Sequence, residues 1–138
     1  MTLRGYFAIL SLYKLSKKGF SLARYARVIR WGKYLPEKVL TNQELERLVN
    51  TSDAWILSRT GIRERRIAAD NETASSMAVR ASRGALEVAG LKPDSLDLVI
   101  TATCTPEHIF PACASSVQHS LGAKKAAAFD VNAACSGF

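Results

Sequence analysis

The sequence predicts an α/β fold in which a mostly parallel, mixed sheet is covered by helices on both faces. Three observations predict it. Strand-like and helix-like stretches alternate along the chain, as βα units require. The segment around Leu98-Val99-Ile100 is continuously apolar rather than alternating, the pattern of a strand buried on both sides. The intervening stretches carry helix start and stop signals. With 138 residues, 48% hydrophobic and 22% charged, the chain is long enough for one ordinary globular core and too short for a multi-domain machine.

Taken in order, residues 1–33 hold eight basic side chains and no acid. This leader has the Arg/Lys/Ser-rich character of a targeting segment but lacks a clean small-residue cleavage site, so a loosely ordered extension is expected over 1–25. Arg27 to Trp31 reads as a short strand closed by Gly32 and the Pro36 turn. Thr41-Asn42-Gln43-Glu44 fits a capping box with Leu40 and Leu45 as its staple, opening a short helix with Leu45, Leu48 and Val49 on one face. A second helix starts at Thr51-Ser52-Asp53 and closes at Gly61. A charged turn is expected at Arg63 to Arg66.

A longer helix follows from Thr73 to Ala89, with Met77, Ala81, Ala85 and Val88 facing inward and Gly90 as its stop. Arg83 and Glu87, one turn apart, read as an exposed ion pair. Leu96 to Ala102 is the doubly buried strand. Pro106 and Pro111 bracket a loop, and a helix carrying Ala114, Val117 and Leu121 ends at Gly122. Ala126 to Val131 is the last strand.

Composition narrows the function. The net charge of +7 resides in the leader, because the remaining residues hold eleven basic and twelve acidic side chains. A nucleic-acid footprint should lie on the folded domain, so no nucleic acid is expected as partner. No apolar run approaches the roughly 20 residues of a membrane span, so no membrane association is expected. The three cysteines, Cys104, Cys113 and Cys135, show no metal-ligand spacing and make a poor disulfide framework. No metal is expected, and a reducing cytoplasm is the default location. Cys104 and Cys113, at a strand end and in a helix, read as packing residues.

In parallel sheets chemistry gathers at the carboxyl ends of strands. The segment there is Asn132-Ala133-Ala134-Cys135-Ser136-Gly137-Phe138. Its small residues would let an acyl group approach the sulfur. A helix beginning at Cys135 would favour thiolate and offer amides to an oxyanion. By pattern alone, a buried small hydrophobe is the better reading of Cys135, free cysteines being among the most buried residues.

Four stretches carry more information than the pattern. They are Gly32-Lys33-Tyr34-Leu35-Pro36-Glu37 through Leu40-Thr41-Asn42; Thr51-Ser52-Asp53-Ala54-Trp55-Ile56 with Arg59-Thr60-Gly61-Ile62-Arg63-Glu64-Arg65; Ala102 through Phe110-Pro111; and Ala128 through Phe138. In these, in their order and spacing from about Ala26 onward, the sequence resembles the N-terminal part of β-ketoacyl-acyl carrier protein synthase III, within the thiolase-like condensing enzymes. The resemblance implies a partial thiolase-like fold over 26–138, with residues 1–25 outside it.

The resemblance also implies roles. Cys135 would be the nucleophile that takes an acyl group from coenzyme A. Thr51, Trp55 and Arg59 would bind coenzyme A, with Trp55 stacking on the adenine and Arg59 donating hydrogen bonds. Phe110 would cross a homodimer interface to floor the partner's acyl pocket. The implied reaction condenses a short acyl-coenzyme A primer with malonyl-acyl carrier protein to begin fatty acid synthesis. It needs no cofactor, coenzyme A thioester being a substrate.

The family's histidine and asparagine lie in a C-terminal half that this sequence does not include, so the chain alone is expected not to turn over. Arg30 stands where the family usually has a small residue. Two other readings share some of these residues. One is another thiolase-like acyltransferase, such as a secondary-metabolite starter synthase or a hydroxymethylglutaryl-coenzyme A-type synthase; the other is a non-catalytic interaction fragment.

Overall fold

The computed structural model describes residues 6–13 and 26–137, with side chains from residue 28 onward. Its strands are β1 (Tyr6–Tyr13), β2 (Ala26–Tyr34), β3 (Lys38–Thr41), β4 (Glu64–Ile67), β5 (Leu98–Ala102) and β6 (Ala127–Val131). The helices are α1 (Asn42–Glu46), α2 (Asp53–Thr60), α3 (Ala74–Ala89) and α4 (Cys113–Leu121), with 3-10 turns at Pro93–Ser95 and Ala134–Ser136.

The α/β class holds, but among the described residues parallel pairing is confined to β5 and β6; β1 with β2 and β3 with β4 are antiparallel. Part of the leader is a strand, with β1 paired to β2 from Tyr6↔Tyr34 to Tyr13↔Ala26. The alternating, aromatic-ended stretch YFAILSLY has strand character that the surrounding basic composition obscures. The rest of the leader, residues 1–5 and 14–25, lies outside the described residues.

Gly32 does not close β2 but sits inside it. A Cβ on Gly32 would lie 2.3 Å from the Ala81 carbonyl oxygen and 2.5 Å from the Ala85 amide nitrogen. The glycine is what lets α3 pack directly on this strand. Beyond it, the Tyr34 hydroxyl donates to Glu72, and Arg80 donates to Glu72 at 3.1 Å while its guanidinium lies 4.7 Å above the Tyr34 ring.

The core lies between α3, α4 and one face of β5. Ala74, Val79, Cys113 and Val117 form one buried cluster; Leu86, Leu96 and Ala123 form another, and Val99 and Leu121 pack against both. Alanines 81, 85 and 114 are fully buried, so the helices approach closely.

Several local expectations change in three dimensions. The capping box is present, with Glu44 N donating to Thr41 Oγ1 at 3.2 Å and Thr41 N to the Glu44 carboxylate at 2.8 Å. The Thr41 amide, and after it the Thr41 hydroxyl donating at 2.9 Å, hold the Glu44 carboxyl below the usual carboxylate range. However, α1 stops at Glu46, so Leu48 and Val49 leave the helix and are exposed. Arg63 to Arg66 is not a turn, because Glu64–Ile67 forms β4 against β3. Val88 is exposed, since the inward face of α3 turns instead through Ala85 and Leu86. Arg83 does not pair with Glu87; it donates across to the Ser120 carbonyl of α4 at 3.3 Å. The stops at Gly61, Gly90 and Gly122 are all left-handed, the conformation for which glycine is suited.

The most consequential difference is in β5, which is covered on one face only. Val99 is half-buried and Thr101 buried under the helices, while Leu98, Ile100 and, on β6, Phe129 are exposed. Among the described residues no helix covers that second face. A run of consecutive apolar letters cannot distinguish a doubly covered strand from one with an open apolar face.

Candidate functional site

The Cys135 turn follows β6 directly and folds over the carboxyl end of the open face. A Cβ on Gly137 would touch the Ala102 Cβ at 3.4 Å and the Val131 Cγ1 at 3.7 Å, the last residues of β5 and β6. Ala134, the residue before the sulfur, has φ of 45°, a left-handed conformation that costs a non-glycine residue about 1–2 kcal/mol. Local strain of this kind often accompanies a side chain held for chemistry.

Cys135 is exposed and sits in the 3-10 turn Ala134–Ser136, not at the start of an α-helix. The Ser136 and Gly137 amides are spent on the carbonyls of Ala133 and Ala134, at 2.9 and 3.2 Å. Neither is therefore free to donate to an oxyanion in this conformation. The other cysteines separate cleanly from it. Cys104 is exposed in the loop beyond β5, not packed at a strand end, because β5 ends at Ala102. Cys113 is buried, and burial first, then the negative charges of Glu107 and Asp130, push its thiol up to about 12. Cys113 is thus a packing residue. A small alkylating reagent applied to the native chain should modify Cys104 and Cys135 and leave Cys113 intact until denaturant is added; peptide mass mapping reads the result.

The second group lies on α2. Ser52, not Thr51, caps this helix by accepting from the Trp55 amide at 3.2 Å. Thr51 is left half-buried just ahead of the cap. Ile56 is the buried side of α2, whereas Trp55 and Arg59, four residues apart, share the outward side. Trp55 is 58% exposed, and among the described residues Arg59 enters no ion pair.

The residue that fixes this helix is Asn42. It is fully buried, and its amide donates to Asp53 at 2.6 Å and to the Ile62 carbonyl at 2.8 Å, tying the start of α2 to the chain just beyond its end. Its Oδ1 is the one buried side-chain atom among the described residues with no protein partner. In the sequence, Asn42 stands only as part of the capping motif. Its location at the first helical position after a capping threonine gave no sign of burial.

The third group is the loop between β5 and α4. Its tip is Ile109 and Phe110, 99% and 90% exposed. Phe110 is therefore no core aromatic. Among the described residues no hydrogen bond or ion pair joins Thr51, Trp55, Arg59 or Phe110 to Cys135. No group of three or more His, Cys, Asp or Glu side chains is placed to hold a metal ion among them, and no described helix is long and apolar enough to cross a membrane.

No protein-family model matches the chain. Individual proteins do. The chain is 56% identical over 117 residues to the β-ketoacyl-[acyl-carrier-protein] synthase III of Roseiflexus sp. (strain RS-1), which covers 85% of this chain and 36% of that protein. Among solved structures it resembles 3-oxoacyl-[acyl-carrier-protein] synthase III from Aquifex aeolicus VF5, with a TM-score of 0.74 and 56% identity over 78% of this chain and 34% of that one. It also resembles the priming β-ketosynthase of the R1128 polyketide biosynthetic pathway, with a TM-score of 0.70 and 42% identity over 74% of this chain and 30% of that one. The chain thus spans about a third of the length of the proteins it matches. Its fold is an N-terminal piece of the thiolase-like fold of these synthases.

Proposed function

We propose that this chain is the nucleophile-bearing segment of a 3-oxoacyl-[acyl-carrier-protein] synthase III, the condensing acyltransferase that starts fatty acid synthesis. The observation that carries the reading is Cys135, an exposed thiol on a strained turn at the carboxyl end of a parallel strand pair.

In the first stage the Cys135 thiolate attacks the thioester carbonyl of a short acyl-coenzyme A. The carbon–sulfur bond to coenzyme A breaks, the coenzyme leaves as its thiolate and takes a proton from solvent, and the acyl group remains on Cys135. In the second stage malonyl-acyl carrier protein loses carbon dioxide, and the resulting carbanion takes the acyl group and frees the cysteine. The resemblance assigns polarisation of the malonyl thioester to a histidine and an asparagine outside the matched segment.

Thr51, Trp55 and Arg59 are proposed to receive coenzyme A. The open indole suits stacking on adenine, and the unpaired guanidinium suits a phosphate. Phe110 is proposed as a homodimer contact, supported by its exposure beside Ile109. A reducing cytoplasm suits a free nucleophilic thiol. The likeness to a polyketide priming ketosynthase supports starter loading as the shared half-reaction.

The test is incubation of the chain with acetyl-coenzyme A, then with malonyl-acyl carrier protein, followed by peptide mass mapping. One acetyl group on Cys135 is expected, without 3-ketoacyl product. An adduct on Cys104 instead, or none at saturating thioester, would overturn the reading.

A further inference from the structure

Two carboxylates outside the proposed site meet the first turns of the two main helices, and both bear on the loop that carries Ile109 and Phe110. Asp130, on β6, accepts from the Cys113 amide through Oδ2 at 2.7 Å and from the Ala114 amide through Oδ1 at 2.7 Å. The residue at the N-cap of α4 is Ala112, whose side chain can accept nothing, so Asp130 supplies that helix's cap from another element. Glu107, within the loop, accepts from the Ser75 amide at 3.3 Å and from the Ser75 hydroxyl, in the first turn of α3. Burial alone would raise the Glu107 carboxyl, but hydrogen bonds led by the Ser75 hydroxyl outweigh it and keep the group below the usual carboxylate range.

Little else holds the segment. Its entry is tied by the Thr103 amide to the Val131 carbonyl at 3.1 Å. Of residues 106–111, Glu107 is the one whose hydrogen bonds reach outside the loop, among the described residues. Ile109 and Phe110 are almost fully exposed, so packing does not fix them.

We propose that Glu107 and Asp130 form a two-point latch. Glu107 fastens the loop to α3, and Asp130 fastens its exit at α4, so that the apolar tip is presented in one conformation. They are positioning residues for a recognition surface. The loop is pre-ordered, and an encounter with a partner then costs less conformational entropy than ordering a free segment would. If the function proposed above holds, that partner is a second copy of the chain. The latch itself stands on this geometry alone.

Cys113 gives a built-in reporter for Ser75→Ala, which leaves both carboxylates in place, because its thiol is buried beside them on α4. In native-state amide exchange, Glu107→Ala should raise exchange over residues 103–112 by about tenfold, and Ser75→Ala should raise that exchange less and Cys113 modification with it, without change in the α3 interior. Because the Ser75 hydroxyl acts through Glu107, the double variant should be no faster than Glu107→Ala alone. Glu107→Gln, which keeps an acceptor for Ser75, should recover part of the protection, and Asp130→Asn serves where Asp130→Ala does not fold. The proposal is overturned if loop exchange is unchanged in Glu107→Ala, if it rises equally in the α3 interior, or if the Ser75 and Glu107 effects simply add. None of these readouts depends on acyl transfer or self-association, so failure of the latch and failure of the proposed function are separable.

Discussion

Replacing Gly32 with alanine is expected to cost at least about 3 kcal/mol of stability, a large share of the roughly 5–15 kcal/mol that holds a typical domain together. The added methyl would sit 2.3 Å from the Ala81 oxygen, 2.5 Å from the Ala85 nitrogen and 3.1 Å from the Ala85 Cα. All three are backbone atoms of α3, so no rotamer change relieves the overlap. The helix would have to lift from β2, opening the contact that seats it on this strand. Truncating Ala81 or Ala85 to glycine should not rescue the variant, because the atoms in the way are not side chains. Gly84→Ala is the matched control. Nothing lies within 4 Å of its added Cβ, and it sits inside α3, so it should stabilise by about 0.5–1 kcal/mol. Denaturant melts of the three chains measure this. A Gly32→Ala protein that melts with the parent would mean that α3 does not lie on β2 as described.

Cys135→Ser is expected to abolish acyl capture from acetyl-coenzyme A while leaving the fold intact. The thiol is exposed, and among the described residues no hydrogen bond to its side chain is formed, so replacing sulfur with oxygen removes no packing or pairing. The chemical loss is large. Sulfur is the stronger nucleophile and the better leaving atom, whereas an alcohol needs an adjacent base to attack. No described side chain is hydrogen-bonded to Cys135 to act as that base. Cys113→Ser gives the opposite pairing of outcomes, with acyl capture retained and stability reduced because a buried hydroxyl replaces a weakly polar thiol. Intact-protein mass and a thermal melt on both variants read the two effects. Persistent acylation in Cys135→Ser would move the chemistry elsewhere.

Local signals were the most legible part of this chain. A capping box needs only residues three apart, and a left-handed helix stop needs only a glycine after the last turn, so Thr41, Glu44, Gly61, Gly90 and Gly122 could be read directly. The nucleophile candidate was legible because strand, small-residue turn and cysteine follow one another without interruption. Burial was less so. Leu48, Val49 and Val88 fitted apolar periodicities yet face solvent, because periodicity marks which residues share a face and not whether anything covers it. In sequence Gly32 looks like the end of a strand, although its importance comes from a helix some fifty residues later in the chain.

The sequence by itself determined the capping box, the glycine helix stops and the placement of one cysteine after the last strand, since each depends on neighbours within a few residues. Only the tertiary structure decided that β5 has an open face, that Asn42 anchors α2, and that Glu107 and Asp130 accept from the first turns of helices they do not belong to. The reason is physical. A carboxylate accepts whichever amide the fold brings near, and a side chain is buried by whatever packs on it, so neither fact is written in the residues that precede or follow it.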